Sequence, residues 1–339
     1  MRMKSKAVLT LLAALLTFHS NPVFAQVPVR IGFIPVLGTS QIFVADQLGL
    51  LRAAGLTPRF TNFESGPVMI QALASGTLDV YVGGVAPLAV ARSKGVEVKV
   101  VAATAIEEMT VTVGGKFAPY FKQGTSSADA FKAFHAASGK PPRMATQPPG
   151  SVPHTTLVHW LDEVAHVPKV DYEIVTMGID ATQQALLAGA VDGSTLREPA
   201  ITVSEQRDPR IKVVAYGAEM FTDQPGTVVA VSGAFLAKYP DSVQKLVDAV
   251  VQATNVIRKE PQKAVPAIEA ALGKGIVDEA TILKSLSSPA SKFTADPRVI
   301  VDSTREMQAY QVKIGTLDKE YPLEGLFDPS FYVKATAGK

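Results

Sequence analysis

Ten residues of this chain are written almost twice. QALASGTLDV (71–80) and QALLAGAVDG (184–193) share Gln, Ala, Leu, Gly and Asp at the same places. The copies stand 113 residues apart, and that offset extends without a gap. VKVVA (98–102) faces IKVVA (211–215). RIGFIP (30–35) faces RMATQP (143–148), with Arg and Pro at both ends, and Leu48 faces Leu161. A register that holds across residues 30–102 marks a duplicated unit. No other feature constrains the fold as much: the chain builds one unit twice and packs the copies together.

The pattern within each copy gives the unit. The first reads as strand VRIGFIP, helix SQIFVADQLGLLRAAG stopping at Gly55, strand TPRFTNF and helix GPVMIQALASG. Strand TLDVYVGG, helix VAPLAVARSKG and strand VEVKVVAAT follow. The second repeats the order with RMATQ, HTTLVHWLDEVA, VDYEIVT, DATQQALLAG, VDGSTL, EPAITVSEQ and RIKVVAYG. Strands alternating with helices imply α/β lobes with mainly parallel sheets, flanked by helices. Gly76 and Gly189 are expected to end helices with positive φ, and Asp79 and Asp192 to fix the turn into the next strand. The shared letters are thus frame rather than site.

Two further apolar runs, TVTVGG (110–115) and GTVVAVSGAFL (226–236), follow the two copies and read as connections. Beyond them the chain turns helical, from DSVQKLVDAVVQATNVIRK onward. The expected organisation is a leader over 1–25, the first part of lobe 1 over 26–112, lobe 2 over 113–225, and a return strand with C-terminal helices completing lobe 1 over 226–339. Two crossings beside one cleft make a hinge.

The leader reading rests on Arg2, Lys4 and Lys6, the apolar run AVLTLLAALLTF (7–18) and the small residues of VFA (23–25) before Gln26. This is a signal-peptide pattern, cut after Ala25, and it implies export to the periplasm. Its loss takes the formal charge from +2 to −1. No Lys/Arg block points to nucleic acid or membrane. The chain has no Cys, so it has no disulfide, thiolate nucleophile or thiolate metal site.

Ligands of parallel α/β sheets bind beyond the C-terminal strand ends, beside helix N-termini that carry unpaired N–H groups. Six strand-to-helix loops qualify: PVLGTS (35–40), ESGP (64–67), GGVAP (83–87), PPGSVPH (148–154), TMGID (176–180) and LREP (196–199). Each could also be a plain capped turn. Within them Thr39, Ser40, Ser65 and Ser151 offer hydroxyls, and Gly38, Gly66 and Gly84 allow close backbone approach. Arg197 stands at the end of a strand, where a guanidinium either grips a carboxylate, sulfonate or phosphate, or pairs with Glu198 or another acid. His154 either donates to a ligand or caps and packs. Glu107 and Glu108 either meet a cationic group or stand solvated near the hinge.

Catalysis finds little support. His19 lies in the leader, and His135, His154, His159 and His166 show no metal-ligand spacing. Ser151 and His154 mimic a nucleophile and base without a third group. No cofactor, metal or nucleotide motif is present.

Taken in order, VRIGFIPVLGTSQIFVADQLGLLRAAGL, MIQALASGTLDVYVGGVAPLAVARSKG, GSVPHTTLVHWLDEV, QQALLAGAVDGSTLREPAI and LFDPSFYVKA resemble the periplasmic substrate-binding proteins of ABC importers. The likeness is to the nitrate, sulfonate and taurine group, which also holds thiamine-related pyrimidine-precursor binders and synthases. The resemblance implies the two-lobed, hinge-closing type II periplasmic binding protein fold, a small-molecule ligand, a membrane permease as partner, and a non-enzymatic role. It places the pocket at Gly38, Thr39, Ser40, Ser65, Gly66, Gly84, Val85, Ser151, His154, Arg197 and Glu198. A small organic anion or zwitterion is the expected ligand, with a pyrimidine precursor as the alternative, and a monomer is the expected state.

Overall fold

The computed structural model describes residues 26–273 and 277–338. The expected leader lies outside the described residues. Among the described residues there are twelve strands: β1 (Val27–Phe33), β2 (Leu56–Asn62), β3 (Val80–Gly84), β4 (Val98–Ala103), β5 (Ala105–Ile106), β6 (Thr110–Val113), β7 (Arg143–Thr146), β8 (Glu173–Thr176), β9 (Gly193–Leu196), β10 (Lys212–Tyr216), β11 (Thr227–Ser232) and β12 (Lys292–Phe293). They form two five-stranded sheets, ordered β2-β1-β3-β11-β4 and β8-β7-β9-β6-β10, with β5 and β12 paired apart.

The two sheets have one topology. In each, the first three strands of a copy run parallel. A single antiparallel strand then separates them from the fourth. That antiparallel strand comes from the other half of the chain. β6, which follows the first copy, enters the second sheet, and β11, which follows the second, enters the first. The runs read as connections are therefore exchanged sheet members. The expected lobe junction at 112/113 falls inside β6, whose pairing with β9 begins at Thr110, so the first crossing lies upstream of it.

The repeated letters have a structural counterpart. The Arg30 N–H donates to the Asp79 carboxylate and the Asp79 N–H to the Arg30 carbonyl, both at 2.9 Å. The Arg143 N–H and Asp192 repeat both bonds at the same distances. Each Asp thus ties its lobe's first strand, at mid-strand Arg30 or at the leading Arg143, to the start of the third, rather than only fixing the turn. Gly76 and Gly189 leave their helices at φ 72° and 65°, as a helix exit requires. The helix expected over 40–55 is broken by Gly49 at φ 72° into Ser40–Gln47 and Leu50–Ala53.

Alternation along the buried strands fills two layers. Val80, Val82, Val229 and Val231 face the long helix Pro240–Lys259, whose stripe Val243, Leu246, Val247 and Val250 is buried at helical spacing. Tyr81, Val228 and Ala230 face the other way, toward Met69, Leu73 and Leu88. This second cluster continues into the other lobe through Val152, Leu157 and Trp160, so the lobes are packed together. The crossings run side by side: the Glu107 N–H donates to the Gln224 carbonyl at 2.9 Å, and Ile106 bridges Pro225.

Candidate functional site

The C-terminal strand ends of both lobes meet across the cleft. The Leu37 N–H, after β1, donates to the Glu198 carbonyl, after β9, at 2.9 Å. The Ile179 N–H, after β8, donates to the Glu64 carbonyl, after β2, at 3.3 Å. Gly84 ends β3, and a Cβ there would stand 2.8 Å from Val152 Cγ2 of the other lobe. Glycine at this position is what lets the lobes come together.

Three adjoining spaces lie at this junction. A small void of about 10 Å³ is enclosed by Ser65, Gly66, Gly84, Gln147, Ser151 and Arg197, among others. It is roomy enough for about one water. It opens beside a cavity of about 350 Å³, which shares Gln147 and Arg197 and adds Asn62, Asp180, Gln183, Thr195, Glu198 and Arg207. A third space, with no room for a solvent molecule, is bounded by Gly38, Glu108, Glu198 and Phe293.

Two helix N-termini open on the small void. The helix Gly66–Ala74 begins after Ser65, whose side chain makes no cap bond. Ser65 is 4% exposed, and its hydroxyl has no partner among the described residues. A buried hydroxyl left unpaired costs of the order of 1–3 kcal/mol, which a ligand acceptor or donor would recover. The helix Val152–His159 begins after Ser151, whose Oγ accepts the His154 N–H at 3.3 Å. Both termini bring partial positive charge to the void.

Arg197 completes it. Arg197 is 5% exposed as a residue and lines both the void and the cavity. Its Nη1 donates to Glu108 at 3.3 Å, and Glu108, 2% exposed, also accepts the Thr227 hydroxyl. The acid beside Arg197 is therefore Glu108, not Glu198. The Glu198 carboxylate instead accepts the N–H and hydroxyl of Thr202, at 3.1 and 3.0 Å. Burial pushes its carboxyl above the ordinary range, against the pull of those bonds and of Ser288 and Ser285. Burial likewise raises the Tyr81 hydroxyl, which donates to the Gly84 carbonyl at 2.8 Å.

Of the residues expected at the pocket, Ser65, Gly66, Gly84, Ser151 and Arg197 come together at the void, and Glu198 lines the cavity. Gly38 lies one layer back, where a Cβ would strike the Glu108 carboxylate. Thr39, Ser40, Val85 and His154 line none of the three spaces. The Thr39 hydroxyl is spent on the carbonyls of Ile34 and Val36, and the Val85 N–H on that of Gly226. His154 caps and packs: its N–H bonds Ser151, its Nδ1 is buried without a partner, and burial lowers its pKa. Neither hinge acid is solvated. Glu107 pairs with Lys292 and Glu108 with Arg197. Asn62, Gln147 and Gln183 also line the cleft without having been singled out. Only their positions would have marked them: Asn62 ends β2, Gln147 follows β7 and Gln183 lies in the second turn of the helix Ile179–Leu187.

Comparison with known proteins bears on the whole architecture. A model of the NMT1-like family matches residues 25–271. The chain is 27% identical over 233 residues to the nitrate import ATP-binding protein NrtC of Synechococcus elongatus, covering 67% of this chain and 35% of that protein. It thus spans about a third of that relative's length. The periplasmic nitrate-binding protein NrtA of Synechocystis PCC 6803 superposes with a TM-score of 0.77 at 12% identity, over 91% of this chain and 88% of its own. The alkanesulfonate-binding protein SsuA of Xanthomonas axonopodis pv. citri, solved with MOPS, gives 0.71 at 18%, over 89% and 98%. The fold is that of periplasmic binding proteins.

Proposed function

The chain belongs to the NMT1-like family, and on that premise we propose that it is an extracytoplasmic solute-binding protein of an ABC importer. It captures a small organic anion or zwitterion, sulfonate- or taurine-like in its head group, between its lobes. It then hands this solute to a permease in the inner membrane, acting as an exported monomer without catalysis.

One observation carries the reading. An arginine, a serine hydroxyl unpartnered among the described residues and two helix N-termini, drawn from both lobes, converge on one small space. That donor set suits an oxyanion head. The adjoining cavity of about 350 Å³ is of the size that holds a small organic molecule. Among the described residues its lining and that of the void carry no aromatic ring, so a pyrimidine has no aromatic wall to stack on. Ser65 and Gly84 belong to one lobe, and Ser151 and Arg197 to the other. A solute bridging them favours the closed state by its differential affinity for it.

The test is native mass spectrometry of protein purified from its own cells. A thermal-shift panel of sulfonates, amino-sulfonates, carboxylates and pyrimidines follows. A cognate solute at a hundred times its Kd adds about 2.7 kcal/mol of stability. A panel that leaves the melting point unmoved contradicts the reading.

A further inference from the structure

The charged groups around the cleft do not balance in favour of an anion. Glu64, Glu108, Asp180 and Glu198 line the three spaces against Arg197 and Arg207. Arg207 is exposed at the rim, so Arg197 is the interior cation, and Glu108 already holds it. Both members of the pair are almost fully buried, so solvent screens them little. A sulfonate or nitrate seated on Arg197 would add a second negative charge beside Glu108, with Glu198 next in line.

We propose that Glu108 sets the charge preference of the cleft: by holding Arg197 as a neutral pair, it reserves the site for a zwitterion and rejects a solute that is only negative. This rests on the solute-binding reading above. The solute lies in the wider cavity with its anionic head against Arg197, at the mouth of the void that Ser65 and Ser151 line, and its ammonium faces the acids lining that cavity. Glu108 can do this because of where the chain puts it. It follows the first crossing, and its carboxylate reaches Arg197 of one lobe and Thr227 on the return strand of the other. Gly38 leaves it the room. The residue that tunes charge therefore also bridges the hinge, and specificity arises by repulsion as well as attraction.

Two matched probe pairs test the proposal by calorimetric titration of the mature chain. They are taurine against isethionate, and β-alanine against 3-hydroxypropionate. Each pair differs only in exchanging an ammonium for a hydroxyl. The wild type is expected to prefer the ammonium member of at least one pair by roughly tenfold or more, and Glu108→Gln to erase that preference by gaining affinity for the hydroxyl member. Glu108→Asp, which keeps the charge, is expected to retain it. The wild-type ratio stands as a test even if a variant folds poorly. A wild type that binds both members of a pair equally, or a folded Glu108→Gln variant with an unchanged ratio, overturns the role of Glu108 and leaves the solute-binding reading intact. Binding of no probe by any of the proteins overturns the charge assignment. If the wider solute panel fails as well, the functional reading falls with it.

Discussion

Removing Arg197 should damage folding before it damages recognition. Arg197 and Glu108 are 4% and 3% exposed at their side chains, and their N–O distance is 3.3 Å. Truncation to Ala leaves the Glu108 carboxylate buried, with the Thr227 hydroxyl as its remaining bonded partner. Breaking such a pair from one side costs about 3–5 kcal/mol, because the surviving charge keeps its desolvation penalty. Replacing both members removes that penalty, so Arg197→Met combined with Glu108→Gln should lose far less than Arg197→Ala alone. Denaturant unfolding of wild type, Arg197→Met, Glu108→Gln and the double variant closes the cycle, with a coupling of about 1–3 kcal/mol expected. An Arg197→Ala protein within about 1 kcal/mol of wild type, or strictly additive variants, would refute the idea that the pair is buried and mutually dependent.

Three other outcomes follow from the geometry. Gly84→Ala places a methyl 2.8 Å from Val152 Cγ2 across the cleft. Overpacking of about 1–3 kcal/mol then falls on the packed junction between the lobes and should appear as lost stability in denaturant unfolding, and an unchanged midpoint would contradict the contact. Asp79→Asn and Asp192→Asn each weaken the same duplicated tie in different lobes, and each should cost about 1–2 kcal/mol in urea, with the two adding in the double variant. His154 has its pKa lowered by burial from 6.5, so the unfolded chain binds its proton more readily. Its contribution is fully present above pH 6.5 and is lost as pH falls through the depressed folded value. His154→Gln should flatten this part of the stability–pH curve, and parallel curves for the two proteins would contradict the assignment.

The duplication was legible because it is written locally. The Arg30–Asp79 and Arg143–Asp192 ties join residues separated by the same 49 positions, so one spacing in the sequence is one bond in the fold. Alternating strands and helices gave the lobes for the same reason. The entry of β6 into the second sheet was not legible. A short apolar run such as TVTV satisfies either sheet, and its destination depends on where the crossing leads. The fate of Glu108 was hidden by distance: its partners lie 89 and 119 residues away, and adjacent carboxylates read most simply as a wet turn. Ser65, Ser151 and Arg197 were legible because a strand end beside a helix start restricts what those side chains face. Thr39 and Val85 obeyed the same rule of position, but their own loops and the return strand consumed their bonds.

A crystal structure of residues 26–339 with the solute that co-purifies with them tests the clamp most directly. The account requires density for that solute between the lobes, with Arg197 and Ser151 bonding it from one side and Ser65 from the other. Density on a single lobe, or away from the strand ends altogether, would contradict it.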